Sequence, residues 1–408
     1  MADRDFKLRI ASSMAEIPAQ AWNACANPHL NQPAQPLLLR DPTLERYNPF
    51  LSHAFLNALE TSGSATSRTG WSPMHVLVED GDDNLIAAAP CYLKSHSMGE
   101  YVFDHAWADA YERAGGHYYP KLQICVPFTP VQGRRLLIAP GPDADKAQEA
   151  LIASIASLQE KTKASSVHLT FATQSECEAL SAAGYLQRTG KQFHFFNKGY
   201  GHFDDFLADL ASRKRKNIRK EREQALQNGI EIEQLTGDQI KEHHWDAFFA
   251  FYMDTGSRKW GTPYLTRQFY SQIGEAMAGD ILLIMAKRAG RYIAGAINFI
   301  GADALYGRNW GAIEDHPFLH FECCYYQAID FALANGLGRV EAGAQGEHKL
   351  ARGYGPVATY SAHQLADPRL HRAVADYLRH ERAKIEQAIE VYSEHVPFRK
   401  SQEPDHQE

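Results

Sequence analysis

The segment ILLIMAKRAGRYIAGAINFIGADALYGRNWGA, residues 281–312, decides the fold because it contains three consecutive strand patterns. An apolar run at 281–288 and a second at 292–300 are separated only by the short turn AGR, which predicts a hairpin. A third strand pattern at 303–312 extends the hairpin into an antiparallel meander.

An amphipathic helix is predicted directly after this meander, at 319–335. Its apolar side chains recur at the spacing of one helical stripe: Leu319, Cys323, Tyr326, Ile329 and Leu333. Gly336 and Gly338 supply a helix stop, and RVEAGA at 339–344 predicts a further short strand. The order strand, strand, strand, helix, strand is that of one α/β unit.

The first half of the chain repeats this order. Strands are predicted at 74–80, 85–93, 134–140 and 167–173, with a helix at 143–163 before the last of them. The apolar stripe of that helix is Ala147, Leu151, Ile155 and Leu158. The repeat predicts two similar domains, each a mixed sheet flanked by helices, in the α/β (α+β) class.

The turn-rich stretch NKGYGH, 197–202, is the predicted joint between the domains. We place an N-terminal domain at 1–199, with an aromatic insertion at 97–132, and a C-terminal domain at 200–400 that carries most of the candidate site. The remaining residues, 401–408, are expected to form a mobile tail.

Composition excludes several classes of protein. The 408 residues are 44% hydrophobic and 22% charged, which is globular rather than disordered, and the net charge is −7. No apolar run approaches the roughly 20 residues of a membrane span, and the N-terminus lacks an export signal, so a cytoplasmic protein is expected. The six cysteines lack metal-site spacing, so we expect reduced thiols and no metal.

One dense run of positive charge contrasts with the acidic total. ASRKRKNIRKER, residues 211–222, has seven Lys or Arg among twelve residues and a single acid. A solvated helix face explains such a run, but so does an anionic partner, because few acids are present to offset the repulsion between the cations.

Several longer strings carry a family resemblance: NPFLSHAFLNALE (48–60), YVFDHAWADAYERAGGHYYPKL (101–122), VPFTPVQGRRLL (126–137), RKRKNIRKE (213–221), GRNWGA (307–312), FECCYYQAIDFA (321–332) and GAQGEHKLARGY (343–354). They resemble GNAT-like, Fem-type acyltransferases, and within these the bacterial peptidoglycan biosynthesis/recognition (FemAB-like) group. The resemblance implies tandem GNAT-like domains and transfer of an activated acyl group to an amine.

The resemblance leaves two donors open, acyl-CoA and aminoacyl-tRNA, neither of them a permanently bound cofactor. GNAT acyl-CoA enzymes usually hold the pyrophosphate on a glycine-rich loop before the helix. Neither half has this loop, and the second half instead has the acidic GAIEDHPFLHFE at 311–322. The basic run supplies candidate phosphate ligands for either donor: Arg213, Arg215, Lys216, Asn217 and Arg219.

Acyl transfer to an amine needs a group that takes the amine proton and donors for the oxyanion. Glu322, at the edge of the apolar helix stripe, and His348, on a glycine-rich loop, are the candidate bases; Glu322 could equally be an idle residue of the first helical turn. Asn309 is a candidate oxyanion donor, and Lys349 and Arg352 are candidates for binding an anion. Alternatively, the charged residues of the glycine-rich loop pair with one another, and Lys349 and Arg352 then bind no ligand.

Candidate acceptor-pocket residues come from three segments. The insertion contributes Asp104, Trp107, Asp109, Tyr118 and Tyr119; the strand before the helix contributes Arg308 and Trp310; the helix and the glycine-rich loop contribute Tyr326, Gln345, Glu347 and Tyr354. The placement of Arg308 and Trp310 follows from the resemblance. The expected acceptor is a small-molecule or peptide amine, with tRNA as a candidate partner. The alternatives are non-catalytic: a protein that binds a cell-wall fragment, or one that binds tRNA.

Overall fold

The computed structural model describes residues 6–28, 47–258, 261, 263–343 and 346–399. Gln345 and the predicted tail at 401–408 lie outside the described residues. The strands are β1 (Lys7–Ala11), β2 (Trp71–Pro73), β3 (His75–Glu79), β4 (Leu85–Ala89), β5 (Cys91–Lys94), β6 (Lys121–Ile124), β7 (Leu137–Ile138), β8 (Ser166–Ala172), β9 (Leu186–Phe196), β10 (Ile230–Thr236), β11 (Ile281–Arg288), β12 (Arg291–Ile300), β13 (Ala304–Ala312), β14 (Arg339–Glu341) and β15 (Gly355–Leu365).

Helices cover the faces of these strands. They are α1 (Ala19–Ala26), α2 (His53–Thr61), α3 (His105–Arg113), α4 (Ala144–Thr162), α5 (Gln174–Ala182), α6 (Phe203–Asp209), α7 (Ser212–Ala225), α8 (Glu242–Arg258), α9 (Arg267–Ala276), α10 (Leu319–Phe321), α11 (Gln327–Ala334) and α12 (Pro368–Glu394). A π-helical turn, Glu322–Tyr326, joins α10 to α11, and Glu347–Arg352 forms a 3₁₀ helix. In the described part of the chain, no helix has the length and apolarity that crossing a bilayer requires.

An 11-stranded sheet forms the centre of the molecule, in the order β10-β11-β12-β13-β14-β9-β15-β8-β6-β5-β2, and a 4-stranded sheet has the order β1-β3-β4-β7. The predicted meander is confirmed, because β11, β12 and β13 pair antiparallel in sequence. The strand predicted at 85–93 is wrong in one respect. It divides at Pro90 into β4 and β5, which lie in different sheets, since proline cannot donate to a strand ladder.

The two halves of the chain exchange strands. β15, from the C-terminal half, lies between β8 and β9 of the N-terminal half, and β9 in turn pairs with β14. The halves also share a hydrophobic core, in which the Phe50 and Phe299 ring centroids are 4.9 Å apart. The division at 197–202 stays a prediction, because this continuous sheet joins the residues on both sides of it.

The predicted apolar stripes are confirmed by burial. In α4 the stripe residues are at most 5% exposed: Ala147, Leu151, Ile155 and Leu158. The stripe from α10 through α11 is equally buried: Leu319, Cys323, Tyr326, Ile329 and Leu333. Each helix therefore packs on the sheet through the face that its periodicity predicts. On the opposite face of the meander, Gly311 allows close contact with α8, because a Cβ there would lie 2.3 Å from the Phe251 backbone carbonyl.

Candidate active site

A cleft opens where β13 separates from β14. The two strands pair in parallel only from Ala304 to Tyr306, and β13 then diverges from its neighbour. The register between β12 and β13 shifts at this point: Asn298 pairs with Gly307 and Ile297 with Asn309, which leaves Arg308 as an extra residue. A bulge of this kind redirects side chains and is common beside active sites.

The cleft has a volume of about 90 Å³. It is lined by Ala296, Ile297, Asn298, Gly307, Arg308, Asn309, Trp310, His320, Cys324, Tyr325 and Ala342. Three residues expected from sequence to take part in one site therefore lie together on β13: Arg308, Asn309 and Trp310. The side chain of Asn309 has no hydrogen bond to any described residue, so its amide is a candidate for binding a ligand.

The π-helical turn decides which side chains of the second helix face this cleft. Its i→i+5 hydrogen bonding inserts extra residues into the helical turn, and π-turns of this kind are frequent at functional sites. Cys324 and Tyr325 consequently line the cleft, whereas Glu322 and Tyr326 face α7. Tyr326, an expected acceptor-pocket residue, therefore lies outside the cleft, and Tyr325 lines it instead. Nothing in the residue pattern indicates a π-turn.

Tyr325 joins the cleft to His348. Its hydroxyl lies 2.8 Å from Nε2 of His348, which is on the 3₁₀ helix. Burial raises the pKa of Tyr325, so the hydroxyl stays protonated and donates. Burial also lowers the pKa of His348, as do the nearby charges of Arg352 and Lys349, so the imidazole is neutral at pH 7 and can accept. The hydrogen-bonded pair can therefore relay a proton from the cleft to His348.

Glu322 is held away from the cleft by an ion-pair network. It is completely buried, and its carboxylate accepts hydrogen bonds from Arg222 of α7 at 2.9 and 3.1 Å and from the Gln327 amide at 2.7 Å. Arg222 also binds Asp330 at 2.6 Å. A carboxylate with these partners fixes α7 against the helix, and it does not line the cleft.

The two cations of the 3₁₀ helix differ in their partners. Lys349 is 1% exposed, donates to the Gly343 carbonyl at 2.8 Å and has no carboxylate within 4 Å among the residues that the structure describes. Burial lowers its pKa to about 8. Arg352 instead pairs with Glu221 at 3.0 Å and stacks over the Phe321 ring. Lys349 is therefore the better of the two for binding a ligand anion.

Two further predicted pocket residues lie near the 3₁₀ helix but outside the cleft. Tyr354 is buried, with its ring 5.5 Å from that of Tyr325, so it supports the tyrosine that lines the cleft. Glu347 accepts a hydrogen bond from the Tyr392 hydroxyl, which ties the 3₁₀ helix to α12.

The predicted basic run forms α7, which packs against the π-turn and the 3₁₀ helix. Of the predicted phosphate ligands, Arg219 makes a solvent-exposed pair with Asp204 at 3.2 Å, a weak interaction in water. Five further cations of α7, exposed or half-buried, have no ion-pair partner among the described residues: Arg213, Lys214, Arg215, Lys216 and Lys220. Asn217 is exposed among them. At 1.5 Å per residue, the segment 213–220 is only about 10 Å long, and successive residues point about 100° apart, so these charges surround one short segment of α7.

The aromatic insertion builds a separate polar cluster, none of whose members lines the cleft. Lys121 is buried at its centre and donates to Glu100 at 2.7 Å and Asp104 at 2.5 Å; Tyr118 also donates to Asp104, at 2.8 Å. Burial would lower the pKa of Lys121, but the two carboxylates raise it above its usual value. The cluster fixes the insertion to the sheet.

The remaining insertion residues lie around this cluster. Trp107 packs on His363, with ring centroids 5.1 Å apart, the Tyr119 hydroxyl lies 2.9 Å from Ser97 Oγ, and Asp109 is exposed on α3. A second cavity, of about 220 Å³, is lined by Tyr101 and Phe103 of the insertion together with Arg188 and Glu381. The insertion therefore does not form the wall of the cleft in the C-terminal half.

Among the lining residues that the sequence analysis does not identify, four have side chains with a nitrogen, oxygen or sulfur atom: Asn298, His320, Cys324 and Tyr325. Asn298 is 1% exposed, and its side-chain oxygen has no hydrogen-bond partner within the described chain. An asparagine inside the otherwise apolar pattern of β12 was the one signal that could have identified it, because a buried amide needs partners.

The comparisons with known proteins agree with this architecture. The sequence profile of the FemAB-like family, described as peptidoglycan biosynthesis/recognition, matches residues 13–400. No curated protein matches the chain. Among solved structures, FemX is similar with a TM-score of 0.52 at 13% identity, over 88% of this chain and 98% of FemX.

Two other solved structures are similar over nearly their whole length. The C-terminal domain (DUF2156) of a putative lysylphosphatidylglycerol synthetase from Agrobacterium fabrum has a TM-score of 0.50 at 8% identity, covering 90% of this chain and 97% of that one. A tandem GNAT protein from the clavulanic acid biosynthesis pathway has a TM-score of 0.46 at 11% identity, covering 89% and 99%. The likenesses with a TM-score of at least 0.50, to FemX and to the DUF2156 domain, show that this chain shares their α/β fold.

Proposed function

The chain belongs to the FemAB-like family of peptidoglycan biosynthesis/recognition proteins, and from that premise we propose that it is an N-acyltransferase that moves an aminoacyl group from aminoacyl-tRNA to an amine. The observation that carries the proposal is the cleft at the separation of β13 from β14. It is lined by Asn309, whose side-chain amide has no hydrogen bond to a described residue, and by a tyrosine that is hydrogen-bonded to a neutral histidine.

Proton removal from the attacking amine runs through Tyr325 and His348. As the amine nitrogen bonds to the acyl carbon, the Tyr325 oxygen accepts the amine proton while its own proton passes to Nε2 of His348, 2.8 Å away. The hydroxyl thus ends the step uncharged, and the positive charge resides on the imidazole. Return of that proton to the leaving oxygen of the donor completes the transfer.

Stabilisation of the oxyanion is assigned to Asn309. The carbonyl oxygen gains negative charge as the amine attacks, and the Asn309 side-chain N–H groups can bind it because no described residue occupies them. A preorganised donor at this point is worth about 10² to 10³ in rate. The free oxygen of Asn298 on the neighbouring strand is suited to accept a hydrogen from the amine and orient it.

The charge distribution around the cleft favours aminoacyl-tRNA over acyl-CoA as the donor. The turn before α10, where a GNAT-like protein would bind a pyrophosphate, carries Glu314 and Asp315, and Glu314 is paired with Arg288 at 2.8 Å. By contrast, α7 concentrates several cations that have no ion-pair partner among the described residues within about 10 Å of helix, and such a cluster favours the closely spaced phosphates of a nucleic-acid backbone. With this donor, we also propose a cytoplasmic location for the protein.

Binding measurements at several salt concentrations test the choice of donor. We expect an aminoacylated tRNA acceptor-stem minihelix to raise the melting temperature, and its affinity to fall steeply with salt because α7 displaces counterions. Changing Lys216 and Lys220 together to Gln should reduce the slope of log Kd against log salt by about 1 to 2. Changing the exposed Lys384 of α12 to Gln is the matched control and should leave the slope unchanged.

Two results would count against this choice. Stabilisation by acetyl-CoA without any by the minihelix would make acyl-CoA the donor. Stabilisation by a muropeptide, with none by either donor, would favour a non-catalytic protein that binds a cell-wall fragment.

A further inference from the structure

The second cavity, beside the insertion, is larger than the cleft, at about 220 Å³ against about 90 Å³. It is bounded by β8, β9 and β15, by residues 101–103 of the insertion and by α12. A volume of this size holds about seven waters, so it suits one six-membered ring with its substituents. The proposed transfer reaction uses none of the residues that line it.

Two hydroxyls on β15 form the polar floor of this cavity. Thr359 is 6% exposed, and its hydroxyl has no hydrogen bond to a described residue. It lies over Gly190, where a Cβ would be only 2.7 Å from Thr359 Oγ1. Ser361, 5% exposed, accepts a hydrogen bond from the Phe171 backbone at 3.3 Å, and its own hydroxyl hydrogen has no acceptor among the described residues. Buried hydroxyls normally have partners, so a ligand in the cavity can supply the missing bonds.

The charged side chains that face the cavity neutralise each other. Arg188 and Glu381 form a pair with two hydrogen bonds, both of 2.8 Å. Side chains alternate along a strand, so Arg188 and Gly190 face the insertion and Lys191 faces the other way. The Lys191 ammonium lies 5.6 Å from the centre of the Tyr392 ring. The cavity therefore favours an uncharged ligand.

Aromatic side chains form the apolar part of the cavity wall. Phe103 is 57% exposed, which leaves much of its ring available to a ligand. Tyr101 and Phe171 both have left-handed backbone conformations, with φ of 60° and 55°. Phe171 is the extra residue of a bulge between β8 and β15, since Thr170 and Ala172 pair with consecutive residues of β15. Strained residues and bulges of this kind cluster at ligand sites.

The polar cluster of the insertion holds this wall in place. Glu100 and Asp104 flank the wall segment, and they accept hydrogen bonds from the buried Lys121 at 2.7 and 2.5 Å. From the strand side, Arg188 donates to the Phe103 carbonyl at 2.8 Å. The cavity is thus formed without a ligand, and binding does not have to order its wall.

We propose that the second cavity is a binding site for a neutral sugar ring. Sugar hydroxyls both donate and accept hydrogen bonds, so they match the hydroxyls of Thr359 and Ser361. The apolar C–H face of the ring packs against the aromatic wall. This site is separate from the cleft, so the proposal does not depend on the transferase function.

Saturation-transfer NMR on the wild-type protein tests the class of ligand. The probes are two neutral sugars, methyl β-glucoside and N-acetylglucosamine, and two charged ones, glucuronate and protonated glucosamine. We expect the neutral sugars to bind with Kd values of about 1 mM, as suits ligands of this size. The charged sugars should bind at least about threefold more weakly, because the ion pair leaves no counter-charge for them.

Two variants test the location. Thr359→Val should raise Kd by about 3- to 10-fold and leave the melting temperature unchanged, because the lost hydroxyl binds no described residue. Thr359→Ser keeps the hydroxyl and should retain the wild-type affinity. Phe103→Ala should raise Kd by a similar factor through loss of ring contact. The matched control is Phe196→Ala, an exposed position of β9 outside the cavity, which should leave Kd unchanged.

Three results would overturn the proposal. The first is the absence of saturation transfer to either neutral sugar at about 20 mM, well above the expected Kd. The second is wild-type affinity in both Thr359→Val and Phe103→Ala, which would place the sugar elsewhere. The third is tighter binding of a charged sugar than of both neutral ones. Because the comparison of the four sugars needs only the wild-type protein, misfolding of a variant does not affect it.

Discussion

His348→Gln is expected to lower kcat by about 100- to 1000-fold while leaving the affinity for the donor unchanged. The reason is that glutamine cannot accept the proton that Tyr325 passes on, and a general base contributes about 10² to 10⁴ in rate. His348 does not line the cleft itself, so the loss should appear in kcat rather than in donor binding. Single-turnover kinetics with the preferred donor separate the two quantities, and His380→Gln on the exposed surface of α12 is the matched control.

The pH profile gives this prediction a signature that a structural defect would not produce. The pKa of His348 is lowered below its usual value of about 6.5 by burial and by the charges of Arg352 and Lys349. Transfer requires the neutral imidazole, so kcat should be constant near pH 7 and should fall only as the pH drops below about 6.5. His348→Gln should lose this acidic limb. If kcat of His348→Gln still falls at acidic pH as in the wild type, a group other than His348 causes the pH dependence.

Glu322→Ala is expected to lower the free energy of unfolding by about 3 kcal/mol. Glu322 is completely buried and binds Arg222, and removal of one partner of a buried pair leaves the other without compensation. Urea denaturation of the wild type and the variant measures the difference. Glu386→Ala, an exposed position on α12, should change stability by less than about 0.5 kcal/mol.

Glu322→Gln separates this structural role from catalysis. If the carboxylate only fixes α7, the folded fraction of this variant should keep its turnover within about tenfold of the wild type, since loss of a general base costs at least 10². A loss of 100-fold or more in a variant that remains folded would make Glu322 the base and contradict the assignment to His348.

The fold could be predicted from local pattern, and its long-range pairing could not. The alternation in β11 to β13 and the stripes of α4 and α11 are local signals, because burial of one face dictates which residues recur. The insertion of β15 between β8 and β9 joins residues almost 200 positions apart in the chain. No short segment of the sequence indicates which distant strands pair, so the residue pattern does not show that the two halves share a sheet.

The site residues on β13 could be predicted from the sequence, whereas those on the helix with the π-turn could not all be predicted. Arg308, Asn309 and Trp310 share one short string of β13, and they line the cleft together. On the helix, the ordinary period of 3.6 residues assigned a catalytic role to Glu322, and the π-turn replaced it in the cleft with Tyr325. The partners of Glu322 and Arg352 lie on α7, 100 and 131 residues earlier, where residue spacing carries no information.

Occupation of the cleft by the aminoacyl group is the central claim, and a cleft-filling variant tests it most directly. A Cβ at Gly307 would lie 3.2 Å from Asn298 Oδ1, so Gly307→Leu should fill the space between β13 and β14. The measurement compares melting-temperature shifts caused by the aminoacylated and the uncharged minihelix. For the wild type, we predict that the aminoacylated minihelix raises the melting temperature more than the uncharged minihelix does. For Gly307→Leu, we predict equal shifts by the two forms, while the melting temperature without ligand stays that of the wild type. An aminoacyl-dependent shift that is as large in Gly307→Leu as in the wild type would contradict the assignment of this cleft.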